Sequence, residues 1–202
     1  MAFAVVGCGG SKPEAVTPSP ETHPLAGVVG QNIIVAPVQA LRVPAEMAWP
    51  AVASRPALAH FDSVFADTLK DRIGNQAWVY ADALLKAAAN NPTYATDPRA
   101  LAVGPLRASS LKLDDRLPEP LASQLRTMIA LQDARLVLIP TDVTFERTPA
   151  GLGRPVVRLV LVDPRSSVVR WIGRVTGNDS PAFTPDIAAI MATRLADLFA
   201  AR

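Results

Sequence analysis

Two apolar runs near the carboxyl end, residues 156–162 and 168–175, constrain the fold more than any other part of this chain. Both are dense in valine, leucine and isoleucine, and Asp163-Pro164-Arg165-Ser166-Ser167 lies between them. Such runs flanking turn-forming residues predict a β-hairpin. Side chains alternate across a strand, so one face carries Val157, Leu159 and Leu161, then Val169, Trp171, Gly173 and Val175. The other carries Arg158, Val160 and Val162, then Arg170, Ile172 and Arg174. A slip of one residue would turn one apolar set outward. Both sets share a face only if the connection has an odd length, so the sequence predicts a loop of three or five residues.

A hairpin with an apolar face has to pack against something. Residues 135–139 form a continuous apolar strand of the kind covered on both sides, continuing past Pro140 as far as Glu146. Upstream, Ile33-Ile34-Val35-Ala36-Pro37-Val38 reads as a short buried strand and Trp78-Val79-Tyr80 as another. Helical spacing appears three times: Phe61, Val64, Phe65, Leu69 and Ile73; Leu121, Leu125, Met128 and Ile129; and Ile187, Ile190, Met191, Leu195 and Leu198. Asp82 is placed to cap a further short helix ending at Asn90, and Thr184-Pro185 suits the start of the last one. Residues 42–57, with three prolines, read as a loop. Residues 92–118, broken by four prolines, read as an insertion, with a short helix possible at 97–102. The expected fold class is α/β (α+β): a single mixed sheet of about five strands, with a C-terminal hairpin and helices packed on it.

Of the 202 residues, 50% are hydrophobic and 19% charged, which excludes a disordered chain and permits one domain with its own core. The net charge of +2 offers no basic stripe, so no nucleic-acid partner is expected. There is one cysteine, Cys8, so no internal disulfide can form. It stands in Val5-Val6-Gly7-Cys8-Gly9-Gly10, followed by a tail rich in proline, serine, threonine and glycine. This resembles the lipobox of a bacterial lipoprotein, in which the signal peptide is cut before the cysteine and the cysteine is lipidated. Residues 1–7 lack a basic segment and are shorter than a signal requires, so this reading places the true start upstream of Met1. The other reading is a frayed end with a stray thiol. On the lipoprotein reading, 1–7 is a signal-peptide remnant, 8–31 is the lipid-anchor cysteine and its linker, and 32–202 is the folded domain.

The phrases Ile33-Ile34-Val35-Ala36-Pro37-Val38, a helix ending before Gly74 followed by Trp78-Val79-Tyr80-Ala81-Asp82, Ala134 through Ile139, and Leu159-Val160-Leu161-Val162-Asp163 resemble the periplasmic domain of CsgG-like and TolB amino-terminal-like envelope lipoproteins. The resemblance implies an α/β domain held at the membrane through lipid on Cys8. It also implies an outer-membrane location facing the periplasm, and binding, assembly or accessory work in an envelope complex. The long alternating strand pairs of pore-forming members are missing from 92–118. The resemblance carries over no catalytic residue.

The sequence holds few residues spaced for chemistry. His23 lies in the tail, and His60 has no second ligand at metal spacing, so neither a metal nor a cofactor is expected. No nucleophile elbow, dinucleotide fingerprint or phosphate loop is present. Asp114-Asp115 reads as a pair of solvated loop charges, and Trp78 and Trp171 as core residues. The candidate site residues are Arg158, Arg170 and Arg174. The predicted register sets them among apolar groups on one sheet face, a composition suited to docking a protein partner or a second copy. The competing function is an envelope hydrolase with an unrecognised site, and a third reading is a soluble cytoplasmic domain with an accidental lipobox.

Overall fold

In the computed structural model the described residues are 23–43, 55–74, 76–184 and 186–200. They form one mixed sheet of five strands with helices on both faces. The elements are β1 (Ile33–Val35), β2 (Leu41–Arg42), α1 (Arg55–Ile73), α2 (Ala81–Asn90), α3 (Leu121–Gln132), β3 (Leu136–Arg147), β4 (Gly153–Asp163), β5 (Val168–Thr176) and α4 (Asp186–Phe199). Short 3-10 turns occur at Ala26–Val28 and Gly104–Arg107. β3 is the central strand. β1 and then β2 run parallel to it along one side, and β4 and β5 follow antiparallel on the other.

Strict alternation builds two cores. Ile33, Val35, Leu136, Leu138, Val157, Leu159, Leu161 and Val175 face α1 and α4, whose Phe61, Phe65, Leu69, Met191 and Leu195 fill the space between. Ile34, Val137, Ile139, Val160 and Val162 face the other way, onto Leu84 of α2 and Leu121, Leu125 and Ile129 of α3. The 92–118 segment supplies Leu101, Val103, Leu106 and Leu117 to this second core. It is therefore a covering layer of the sheet. Pro140 sits inside β3, paired with Leu159, beside a bulge at Thr141 that breaks the ladder where a proline can be accommodated.

The hairpin departs from the expected parity. Its loop has four residues, Asp163 pairing with Val168 and Val162 with Val169. A bulge at Arg170 then shifts the register, so that Leu161 pairs with Trp171, Val160 with Ile172 and Arg158 with Arg174. The extra residue that would have made the loop odd is inside the strand. Everything from Trp171 onward lies on its expected face. Val169 does not: it packs in the second core with Val160 and Val162.

Other expectations are corrected too. Trp78-Val79-Tyr80 is not a strand. Val79 alone bridges Ile34, with Val35 N–H to Val79 O at 2.8 Å and Val79 N–H to Ile33 O at 2.9 Å, closing the outer side of β1. The stretch read as loop from 42 contains the end of β2, and α1 starts at Arg55, since proline is tolerated in a first helical turn. Asp82 lies in the first turn of α2, but Tyr80 occupies the cap position, with no side-chain cap bond. No helix forms at 97–102; the turn there precedes the 3-10 segment Gly104–Arg107. The packed chain also begins before Asn32: Leu25 is buried, and its N–H bonds Leu198 O at 3.1 Å. Pro185 lies outside the described residues.

Gly173 has a definite reason to be glycine. The Trp171 ring lies over it, and a Cβ there would fall 2.1 Å from the indole. Gly173→Ala is expected to displace Trp171 and to cost about 1–3 kcal/mol. A shift in tryptophan emission together with a lower urea midpoint would verify this. An unchanged spectrum would mean that the ring does not rest on the strand.

Candidate partner-binding surface

The structure separates the three arginines. Arg158 and Arg174 are direct cross-strand neighbours on β4 and β5, whereas Arg170 occupies the bulge. Arg158 is turned inward: its Nε donates to Leu106 O at 3.0 Å and its Nη2 to Ala108 O at 3.1 Å. It caps the C-terminal end of the 3-10 turn and ties the 92–118 layer to the sheet. Arg174 is exposed and pairs with Glu146 at 2.5 Å. Arg170, also exposed, reaches Asp114 at 3.3 Å and Asp163 at 3.8 Å. Cys8 lies outside the described residues.

Around them runs a mesh of charge. Asp142, buried on β3, accepts Arg107 Nε at both carboxylate oxygens, each at 2.9 Å, and Arg42 Nε at one of them, at 3.2 Å. Arg154 pairs with Asp179 at 2.7 Å. Reading the sequence alone missed these pairs, because their partners are 25 to 100 positions apart. It also missed Asp62. This carboxylate is buried on α1, where it accepts Val38 N–H at 2.9 Å and Arg99 Nη1 at 2.5 Å. Burial pushes its pKa up to about 6, against the opposing pull of the Val38 bond and Arg99. Near neutral pH it is thus ionised and held by Arg99. A buried aspartate on an otherwise apolar helix stripe was the available signal, since Asp62 follows Phe61 directly on the buried side.

β5 is the outer strand of the sheet. Residues 114–117 cover its first part: Asp114 N–H bonds Val169 O at 2.9 Å, Val169 N–H bonds Asp115 O at 3.0 Å, and Leu117 N–H bonds Ser167 O at 2.8 Å. Beyond this cover, from Trp171 to Val175, the backbone pairs with β4 alone among the described residues. In an antiparallel ladder every second residue turns both backbone groups away from its partner. This stretch therefore presents open donors and acceptors, edged by Arg170 and Arg174 and half-buried Trp171 and Ile172. That is the geometry to which an extended segment can add as a further strand.

Catalytic geometry is not assembled among the described residues. His23 Nδ1 meets Asp197 O at 2.8 Å, His60 is exposed, and neither bonds a hydroxyl or a carboxylate. No group of three metal-ligating side chains converges there. Asp114 is exposed, and Asp115 accepts Lys112 N–H at 2.8 Å, both as loop groups. Trp78 is buried edge-on against Phe199, with ring centres 4.8 Å apart. A cleft of about 280 Å3 opens between α1 and the start of α2, lined by Asp67, Lys70, Tyr80 and Asp82. Its lysine is paired with Asp67 at 3.1 Å and stands over the Tyr80 ring.

No family model matches this chain, and no curated protein matches it. Among solved structures it is similar to the LpoB C-terminal domain from Salmonella enterica, with 13% identity and a TM-score of 0.43, covering 77% of this chain and 93% of that one. It is also similar to the PelC dodecamer from Paraburkholderia phytofirmans, with 16% identity, a TM-score of 0.40, and coverage of 86% and 90%. Lipoprotein GNA1162 from Neisseria meningitidis gives 12%, 0.39, and coverage of 74% and 81%. Likeness at this level carries no residue, partner or activity across.

Proposed function

We propose that this protein is a non-catalytic binding or assembly module of the bacterial envelope, held at the outer membrane by lipid on Cys8 and facing the periplasm. It engages a protein partner along the open edge of β5, with Arg170 and Arg174 at its rim. The open edge from Trp171 to Val175 carries the reading. A bare edge invites pairing, and the two exposed arginines beside it favour a partner segment bearing carboxylates. Their present pairs are surface contacts, worth roughly 0–1 kcal/mol each and readily exchanged. Arg158 belongs to this reading as the residue that holds the neighbouring layer in place. The lipobox-like Cys8 and the Pro-rich residues after it supply the tether, consistent with the family resemblance.

A photo-crosslinking residue placed at Arg174 tests the binding half. Cells expressing this chain are expected to yield one discrete adduct, absent when the same residue replaces Leu131 on α3 and weakened several-fold by Arg170→Glu. Equal adducts from both positions, or none from Arg174, would sink the edge as the docking site. Mass spectrometry of the native amino terminus tests the tether: a diacylglyceryl-modified Cys8 is expected, and recovery of unmodified Met1 would remove it.

A further inference from the structure

A groove of about 370 Å3 opens where the Ala26–Val28 turn, the end of α1 and the last turn of α4 meet. Its walls are apolar: Val29, which is 45% exposed, with Ile73, Phe199 and Ala200. Gln76 Oε1 accepts Gly30 N–H at 3.0 Å, fastening the Val29 turn to the end of α1, so the wall is held in place. Arg72 stands at the rim. The two residues that follow Ala200 in the sequence are Ala201 and Arg202.

The chain enters the fold beside this groove. His23 Nδ1 is bonded to Asp197 O at 2.8 Å and Leu25 N–H to Leu198 O at 3.1 Å, so the segment arriving from Cys8 meets the same turn of α4 that forms one wall. Residues 9–22 separate Cys8 from His23. A stretch of that length reaches at most about 50 Å by covalent geometry alone. Whatever surface holds Cys8 is thus within reach of this end of the domain.

From these features we propose that the groove rests on an anionic phospholipid surface, with Val29 and Ile73 entering the acyl boundary and Arg72 meeting headgroup phosphates. The proposal rests on the tethered reading above. Interfacial binding adds buried apolar area to attraction for anionic lipid, and each cation near the surface contributes about fivefold in partitioning. Asp71 and Asp197 are exposed on the same turns and offset part of the charge. The contact is therefore weak for a free domain and becomes useful once a tether raises its local concentration.

The full chain carrying Cys8→Ser, which cannot be acylated, separates groove from anchor. It is expected to co-sediment with vesicles of mixed phosphatidylglycerol and phosphatidylcholine several-fold more than with phosphatidylcholine alone, and less at high salt. Arg72→Glu is expected to reduce binding roughly tenfold, and Val29→Asp similarly, while Arg126→Glu, on α3 across the sheet, leaves it unchanged. Both groove positions are exposed, and a thermal melt checks that the variants fold. Equal sedimentation with both lipids overturns the proposal, as does unchanged binding by Arg72→Glu. If Val29→Asp instead abolishes a lipid-free dimer seen by sedimentation velocity and spares vesicle binding, the groove belongs to a second copy and the proposal fails. An unmodified Cys8 in the native protein would remove the tether without altering the vesicle result.

Discussion

Arg99→Ala is expected to lower the unfolding free energy by about 3 kcal/mol at neutral pH, because it strands the buried Asp62 carboxylate. The Asp62 and Arg99 side chains are only 6% and 17% exposed, so solvent cannot replace the lost partner. The pH dependence makes the effect specific. Asp62 has a folded pKa of about 6, raised from an ordinary value of 3.8, so the folded state holds the proton more tightly. Its favourable contribution is full below the ordinary value and is lost as pH rises through 6. Without Arg99 the folded pKa rises further and the loss extends to higher pH. The gap between wild type and variant should therefore be small near pH 4 and widest above pH 7, as read by urea titration at each pH. A gap independent of pH would mean that Arg99 acts through packing of its stem.

Leu106→Ala is expected to cost about 3 kcal/mol, the middle of the range for a fully buried leucine, and to lower Tm by about 10 °C for a domain of this size. Leu106 is 0% exposed in a segment whose prolines suggest a surface loop. It sits under the sheet beside the two carbonyls on which the 92–118 layer depends: its own and that of Ala108, both bonded by Arg158. A loosely attached insertion would behave differently. Cleavage within it would leave Tm unchanged, and Leu106→Ala would shift Tm by less than about 2 °C, which would refute the covering role.

The parts of this fold that announce themselves are those with long periodic runs. α1, α3 and α4 follow from apolar spacings of three and four, and β3, β4 and β5 from dense β-branched stretches, because burial repeats over several turns or pleats. β2 is two residues long, and its one buried position, Leu41, leaves no period to detect. The bulge at Arg170 is equally silent, since any residue can be the unpaired one. Alternation demands one extra residue between the two apolar runs, and the chain places it at Arg170 in the strand, where the expected loop of three or five residues had it in the turn. Of the candidate site, the shared face of Arg158 and Arg174 was legible from alternation, and their direct pairing, which depends on the bulge at Arg170, was not. The destinations of their guanidinium groups were not, because Leu106 O and Glu146 come from elements whose approach depends on the whole sheet. Asp62 and Arg99 meet across 37 positions for the same reason.

The order of strands also bears on how the molecule is made. β3, β4 and β5 are sequence neighbours and can zip together locally. β1 has to find β3 with 103 positions between Ile33 and Leu136. Such remote parallel pairing is slow, because loop closure precedes its reward. During that delay the free side of β3, with Leu136, Val137 and Leu138 in line, is exposed and adhesive. A chain delivered amino end first thus emits early the piece it can use last. Its yield on refolding should depend on protein concentration far more than its final stability does.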